Sequence, residues 1–266
     1  MTEHPGMTGN RGTPQLDVAL ALRQMVETFW HDFAPIVLLG FVMVTVPSIV
    51  QRLIGSQSGG TIIATFGGML GVLYVVIVTV GTITRLTGRP LPPMAFVRTG
   101  LAASPNGLSV ALLLGAALVM VMVALLLTGF GTPVGAAWSL MIVAAAFAGV
   151  VAVVPAVAAA IVERRKPFEA VARAATLTRG NRGRIAAVLV VLALAVLPAR
   201  MIIVATIYGT ASAAQAAMID GSMTLLSPGL WLMSLFDLLA WGLAATVPAV
   251  VYLQLAPVQR APAIRH

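Results

Sequence analysis

Six long apolar runs constrain the fold of this chain more than any other feature of its sequence. They cover residues 33–54, 61–84, 107–129, 134–162, 185–208 and 229–255. Each has at least the ~20 residues that an α-helix needs to cross a hydrocarbon layer of ~30 Å. Because backbone N–H and C=O groups in lipid must be satisfied within the segment, each run predicts a transmembrane helix. The chain is therefore expected to be an all-α integral membrane protein with six transmembrane helices.

The composition also indicates a membrane protein. Of the 266 residues, 59% are apolar and only 9% are charged, against about 25% charged in an ordinary soluble domain. No stretch between the runs is long enough for a soluble core, so residues 15–256 are predicted to form a single six-helix membrane domain. Residues 1–14 are polar and rich in Gly and Pro, which predicts a disordered tail, and residues 257–266 form a second tail. The absence of cysteine excludes disulfides and thiolate chemistry.

The basic residues predict the orientation in the membrane. Fourteen of the 16 Lys and Arg residues lie before the first run, in the second and fourth connections, or after the last run. These segments share one side of the membrane if the six runs alternate in direction. Under the positive-inside rule that side is the cytoplasm, so both tails are expected to be cytoplasmic. Because arginines flank the apolar runs, the net charge of +8 points to anionic lipid rather than to nucleic acid.

The residue spacing indicates an internal repeat of 75 residues. Two sets of polar residues recur at this interval near the odd-numbered runs: Arg23, Arg98 and Arg173, and His31, Asn106 and Asn181. The repeat units cover about 15–86, 90–162 and 165–255. Each unit is expected to be a hairpin of two spans preceded by a cytoplasmic amphipathic helix in the membrane interface. The predicted fold is therefore three tandem hairpins.

Each predicted amphipathic helix carries an apolar stripe. The stripes are Ala19, Leu22 and Val26 in the first unit, Met94, Val97 and Leu101 in the second, and Phe168, Val171 and Ala175 in the third. The third stripe is slipped by one position relative to the other two. On the opposite side of the third helix, Glu169 and Arg173 are expected to form an i,i+4 ion pair.

The fourth connection carries the main candidate binding site. It contains seven basic residues, Arg164, Arg165, Lys166, Arg173, Arg179, Arg182 and Arg184. Guanidinium groups match phosphate bidentately, so one interpretation is a groove for anionic phospholipid headgroups. The alternative is an anchor that sets the topology and selects no lipid. The sequence leaves both interpretations open.

Two stretches carry a family resemblance. The segment PFEAVARAATLTRGNRGR at 167–184, preceded by VVPA at 153–156, and the segment TVPAVVYLQL at 246–255 resemble the membrane-domain family associated with glycerophosphodiester phosphodiesterases and the related YciC-like proteins. The resemblance implies a stand-alone membrane domain in a bacterial inner (cytoplasmic) membrane. It implies no catalytic residue for this chain.

Two ionisable residues lie deep within the runs. Arg200 lies eight residues before the end of the fifth run, and Asp237 lies eight residues after the start of the sixth. The two side chains share one depth if these spans are antiparallel. Such a pair either locks two helices together or belongs to a pathway for a solute, and both interpretations stay open.

Prolines and glycines within the runs bear on helix packing. Prolines at 47, 155, 198 and 248 are expected to kink their helices, and kinks can open a cavity. The small-residue spacings Gly67 to Gly71 and Gly131 to Gly135 are typical of close helix contact.

The sequence offers no catalytic constellation, metal-ligand set or cofactor motif. His31 and Asp32 at the start of the first run are interpreted as a solvated polar cap. We therefore expect a non-enzymatic membrane protein that binds anionic phospholipid or a partner protein at its basic face and supports envelope or lipid homeostasis. The alternative is a permease for a small solute or lipid that uses an intramembrane site at Arg200 and Asp237.

Overall fold

The structure is a computed structural model and describes residues 15–54, 58–127, 133–209 and 225–256. These residues form helices and no strand. Six helical segments are long and apolar enough to cross a membrane: Phe33–Gln51, Phe66–Leu86, Pro105–Leu125, Val134–Glu163, Arg182–Tyr208 and Pro228–Leu255. The prediction of an all-helical protein with six helices able to span a membrane is confirmed for this part of the chain. The two predicted tails lie outside the described residues.

Ten α-helices and one π-helical segment build this part of the chain. The α-helices are α1 (Val18–His31), α2 (Phe33–Gly40), α3 (Val46–Ile54), α4 (Ser58–Leu86), α5 (Pro93–Leu127), α6 (Pro133–Val153), α7 (Ala156–Glu163), α8 (Pro167–Leu177), α9 (Arg182–Tyr208) and α10 (Pro228–Leu255), and the π-helical segment Phe41–Thr45 joins α2 to α3. The fourth span divides into α6 and α7 at Pro155, as expected for a proline within an apolar helix.

Helix α1 packs onto the bundle through one face. Asp17 caps it by accepting a hydrogen bond from the Leu20 N–H at 3.0 Å, and Ala21 and Met25 lie in one core cluster with residues of α9 and α10. Of the predicted apolar stripe, Leu22 packs against this cluster, whereas Ala19 and Val26 are exposed.

The predicted interfacial segments of the second and third repeat units have different structures. Helix α5 runs continuously through the predicted interfacial segment and into the third span, with Pro105 inside it. Helix α8 is separate, and it buries Ala170 and Ala174 against the alanines of α7. Phe168, from the predicted apolar stripe, is 76% exposed. Val171 of the same stripe packs against the cluster that contains Ala170 and Ala174.

Packing is dense at one end of the bundle and sparse at the other. The described buried residues of α4 lie between Tyr74 and Thr84, and those of α9 are Ile185 and Val188, in both helices toward the end that carries Arg85 and Arg184. Helices α4 and α5 meet where Phe96 lies against Gly81 and Ile77 against Gly100, since neither glycine has a side chain to hold them apart. The dense end, which carries Arg85, Glu163 and α8, is called the basic end below.

Candidate functional site

A buried carboxylate joins the first two spans at the basic end. Asp32, between α1 and α2, accepts a hydrogen bond of 2.6 Å from Nε of Arg85, which lies in the last turn of α4, and a second, shorter one from Nη2. The Asp32 side chain is only 6% exposed. The expected solvated cap is therefore half right: His31 is exposed, but Asp32 is buried. The sequence did contain a signal for this ion pair: Asp32 lies at the start of the first span and Arg85 at the end of the second, so antiparallel spans place them at the same depth.

A second carboxylate joins three helices. Glu163, the last residue of α7, accepts hydrogen bonds from Arg173 Nε at 3.1 Å and from the Tyr252 hydroxyl at 3.2 Å. Arg165 donates to its other oxygen. The expected pair of Glu169 with Arg173 does not form, because Arg173 turns toward the more buried carboxylate of Glu163. Glu163 thus holds α7, α8 and α10 together.

The segment before α1 is fastened to the start of the fifth span. Asn181 is buried, and its Oδ1 accepts the Leu16 N–H at 2.9 Å. Arg184 donates through Nη1 to the Leu16 carbonyl at 3.1 Å and through Nη2 to Oε1 of Gln15 at 2.9 Å. Gln254, near the end of α10, accepts the N–H of Asp17 at 3.1 Å. These hydrogen bonds attach the residues just before α1 to α10 and to the start of the fifth span.

The seven basic residues of the fourth connection therefore fall into two groups. Three make the internal contacts just described: Arg165, Arg173 and Arg184. The other four are exposed, and their side chains form no hydrogen bond or ion pair within the described part of the chain: Arg164, Lys166, Arg179 and Arg182. We call these four the free cations. They flank the two ends of α8, where Arg164 and Gly180 adopt positive φ angles of 51° and 88°.

The repeat-related positions have different environments in the three units. Arg23 is exposed and pairs with Glu27 at 2.6 Å. This hydrogen bond raises the pKa of Arg23 above its ordinary value. Arg98 is exposed, whereas Arg173 binds Glu163. Of the second set, Asn106 is exposed like His31, while Asn181 is buried. The repeat spacing therefore does not mark three equivalent sites.

The structure places Arg200 and Asp237 side by side on α9 and α10. Nη2 of Arg200 lies 3.7 Å from Oδ1 of Asp237, and the two side chains are 50% and 26% exposed. The pair lies toward the surface of the bundle. Neither residue lines the cavity described next.

A cavity of about 500 Å³, partly open to the outside, lies between the helices and is lined by residues of all six spans. Its wall is almost entirely apolar, with Ser48 and Gln51 of α3 as the polar side chains. Gly71 contributes to the wall, and no atom lies within 4 Å of the position that a Cβ would take there. The close helix contact expected of Gly67 and Gly71 therefore holds only for Gly67, which approaches Pro47. Gly135 is buried, but its predicted partner Gly131 lies outside the described residues.

Comparison of the chain with protein-family models, with curated proteins and with solved structures gives no match. The resemblance to the membrane-domain family of the glycerophosphodiester phosphodiesterases therefore stays a prediction.

Proposed function

We propose that this protein is a non-enzymatic, multi-pass protein of a bacterial inner membrane that binds anionic phospholipid headgroups at its basic end and supports envelope or lipid homeostasis. In this proposal the spans form three tandem hairpins, and the basic end and both tails face the cytoplasm. The observation that carries the proposal is the set of four free cations around α8.

The free cations have no carboxylate of their own to neutralise them. Anionic headgroups would supply the missing charge, and each Lys or Arg close to an anionic leaflet contributes ~1 kcal/mol to binding. The arginine guanidinium groups can bind phosphate oxygens in pairs. The four residues therefore match a phosphate-bearing surface in both charge and hydrogen bonding.

Helix α8, whose two ends carry the free cations, is held in place by contacts with its neighbours. Helix α8 is fastened by the Glu163 to Arg173 hydrogen bond and by the packing of Ala170 and Ala174. It has 11 residues, so its ends are ~16 Å apart at 1.5 Å per residue. The exposed ring of Phe168 lies on the same helix. A helix with an exposed aromatic ring and with basic residues at both of its ends is suited to lie in the membrane interface.

The geometry favours this proposal over a permease that uses Arg200 and Asp237. A solute pathway needs its charged site to line a cavity or channel. The pair lies outside the cavity, and the Arg200 side chain is half exposed.

The proposal is tested by lipid-dependent stability. Ligand binding to the folded state raises its stability by mass action. Wild-type protein in nanodiscs that contain phosphatidylglycerol should melt at a higher temperature than in phosphatidylcholine alone. The double variant Arg179→Gln/Arg182→Gln should lose most of this difference and melt normally in phosphatidylcholine.

The matched control is Arg89→Gln/Arg98→Gln. It removes the same charge from two exposed arginines outside the fourth connection and should keep the lipid-dependent difference. An equal loss in both double variants would mean that only total charge matters, and the proposed site would be wrong.

A further inference from the structure

The cavity within the bundle can be assigned an occupant independently of the headgroup site. Its volume of about 500 Å³ falls in the range of ~300–1,000 Å³ that is typical of ligand pockets. Water does not fit its wall, since a bound water needs two to four polar partners. Ser48 is already used, because its hydroxyl donates to the Val44 carbonyl at 2.7 Å. The surrounding medium at this depth is hydrocarbon.

The cavity is also long. Its lining residue nearest the basic end on α10 is Pro248, seven residues from Leu255 and therefore ~10 Å from that helix end. On the first span the lining extends to Gln51, 18 residues from Phe33 and ~27 Å from the basic end. An elongated apolar space fits a linear chain better than a compact solute.

Two glycines enlarge the cavity and are not needed for close contact between helices. Gly68 and Gly71 both line it, and an added Cβ at either position would meet no atom within 4 Å. By contrast, a Cβ at Gly81 or Gly100, where α4 and α5 touch, would overlap a neighbouring side chain. The absence of side chains at 68 and 71 therefore maintains open volume.

We propose that this cavity binds one acyl chain of a membrane phospholipid, with the chain end near Val247 and the ester region near Gln51. Gln51 is exposed at the far rim, where its amide N–H groups can donate to an ester carbonyl. The bound lipid comes from the leaflet opposite the basic end, so this site is separate from the headgroup site.

The experiment uses the full chain in vesicles of phosphatidylcholine that carries a diazirine near the end of one acyl chain. After illumination, mass spectrometry of peptides compares labelling near Val154 and Val247 with labelling at the outward-facing residues Leu118 and Leu194. We expect wild type to be labelled in the cavity, and Gly71→Leu to lose this labelling while the outer surface stays labelled. Phosphatidylcholine carries no net charge, so the result does not depend on the free cations.

Gly149→Leu is the matched control. Gly149 is an exposed helical glycine with no atom within 4 Å of a Cβ, and it lies outside the cavity lining. It should keep the wild-type labelling. If Gly71→Leu does not give a monodisperse protein, Gly68→Leu tests the same volume. Cavity labelling that persists in the filled variant, or that falls equally in Gly149→Leu, would overturn the assignment.

Discussion

The guanidinium of Arg85 binds both carboxylate oxygens of Asp32 and joins the end of the second span to the start of the first. This pair is largely withdrawn from solvent, with side chains 26% and 6% exposed. Removing one partner of a buried pair leaves an uncompensated charge, which costs several kcal/mol. The loss of either partner is therefore expected to destabilise the basic end.

Arg85→Ala should accordingly destabilise the protein by roughly 3 kcal/mol and lower its melting temperature in detergent. The control is Arg98→Ala, which removes an exposed arginine and should change stability by no more than about 0.5 kcal/mol. Equal melting temperatures for the two variants would mean that the pair contributes nothing.

The Glu163 contacts predict a graded series. Tyr252→Phe removes one hydrogen bond to a charged group and should cost about 1.5–3 kcal/mol. Glu163→Gln leaves Arg165 and Arg173 without their carboxylate and should cost more. Glu169→Gln removes an exposed carboxylate on the same surface and serves as the control. Thermal unfolding of the three variants checks this order, and a larger effect at Glu169 than at Glu163 would contradict it.

Two glycines on α4 should respond oppositely to alanine. Gly81→Ala places a Cβ into the ring of the buried Phe96 and should cost about 1–3 kcal/mol by overpacking. Gly71→Ala meets no neighbour and should stabilise the helix by up to about 1 kcal/mol, the difference in helix propensity. Melting temperatures that fall by the same amount in both variants would show that Gly71 is packed.

The orientation can be tested by single-cysteine labelling, because the chain contains no cysteine. Thr87, at the basic end, and Leu226, just before the α10 end opposite it, are both exposed. In intact cells a membrane-impermeant maleimide should label Leu226→Cys and spare Thr87→Cys, which should react only after the membrane is opened. The reverse pattern would place the basic end outside the cytoplasm.

The sequence predicts the six spans well because each apolar run must satisfy its own backbone in lipid. It does not predict which charges pair, since this depends on which helix ends meet in space. Glu163 was not singled out, although it lies at the end of a run beside three basic residues. The sequence also did not indicate that Ala170 and Ala174 are the residues of α8 that pack against α7, because alanines alone do not form a pronounced apolar stripe.

The most direct test of the central claim is native mass spectrometry of the protein released from its membrane with bound lipid. Wild type should retain an anionic phospholipid in preference to a zwitterionic one. The variant with Gln at all four free cations, Arg164, Lys166, Arg179 and Arg182, should insert and fold but lose that preference. Retention of the same anionic lipid by this variant, or no preference in wild type, would contradict lipid binding at the basic end.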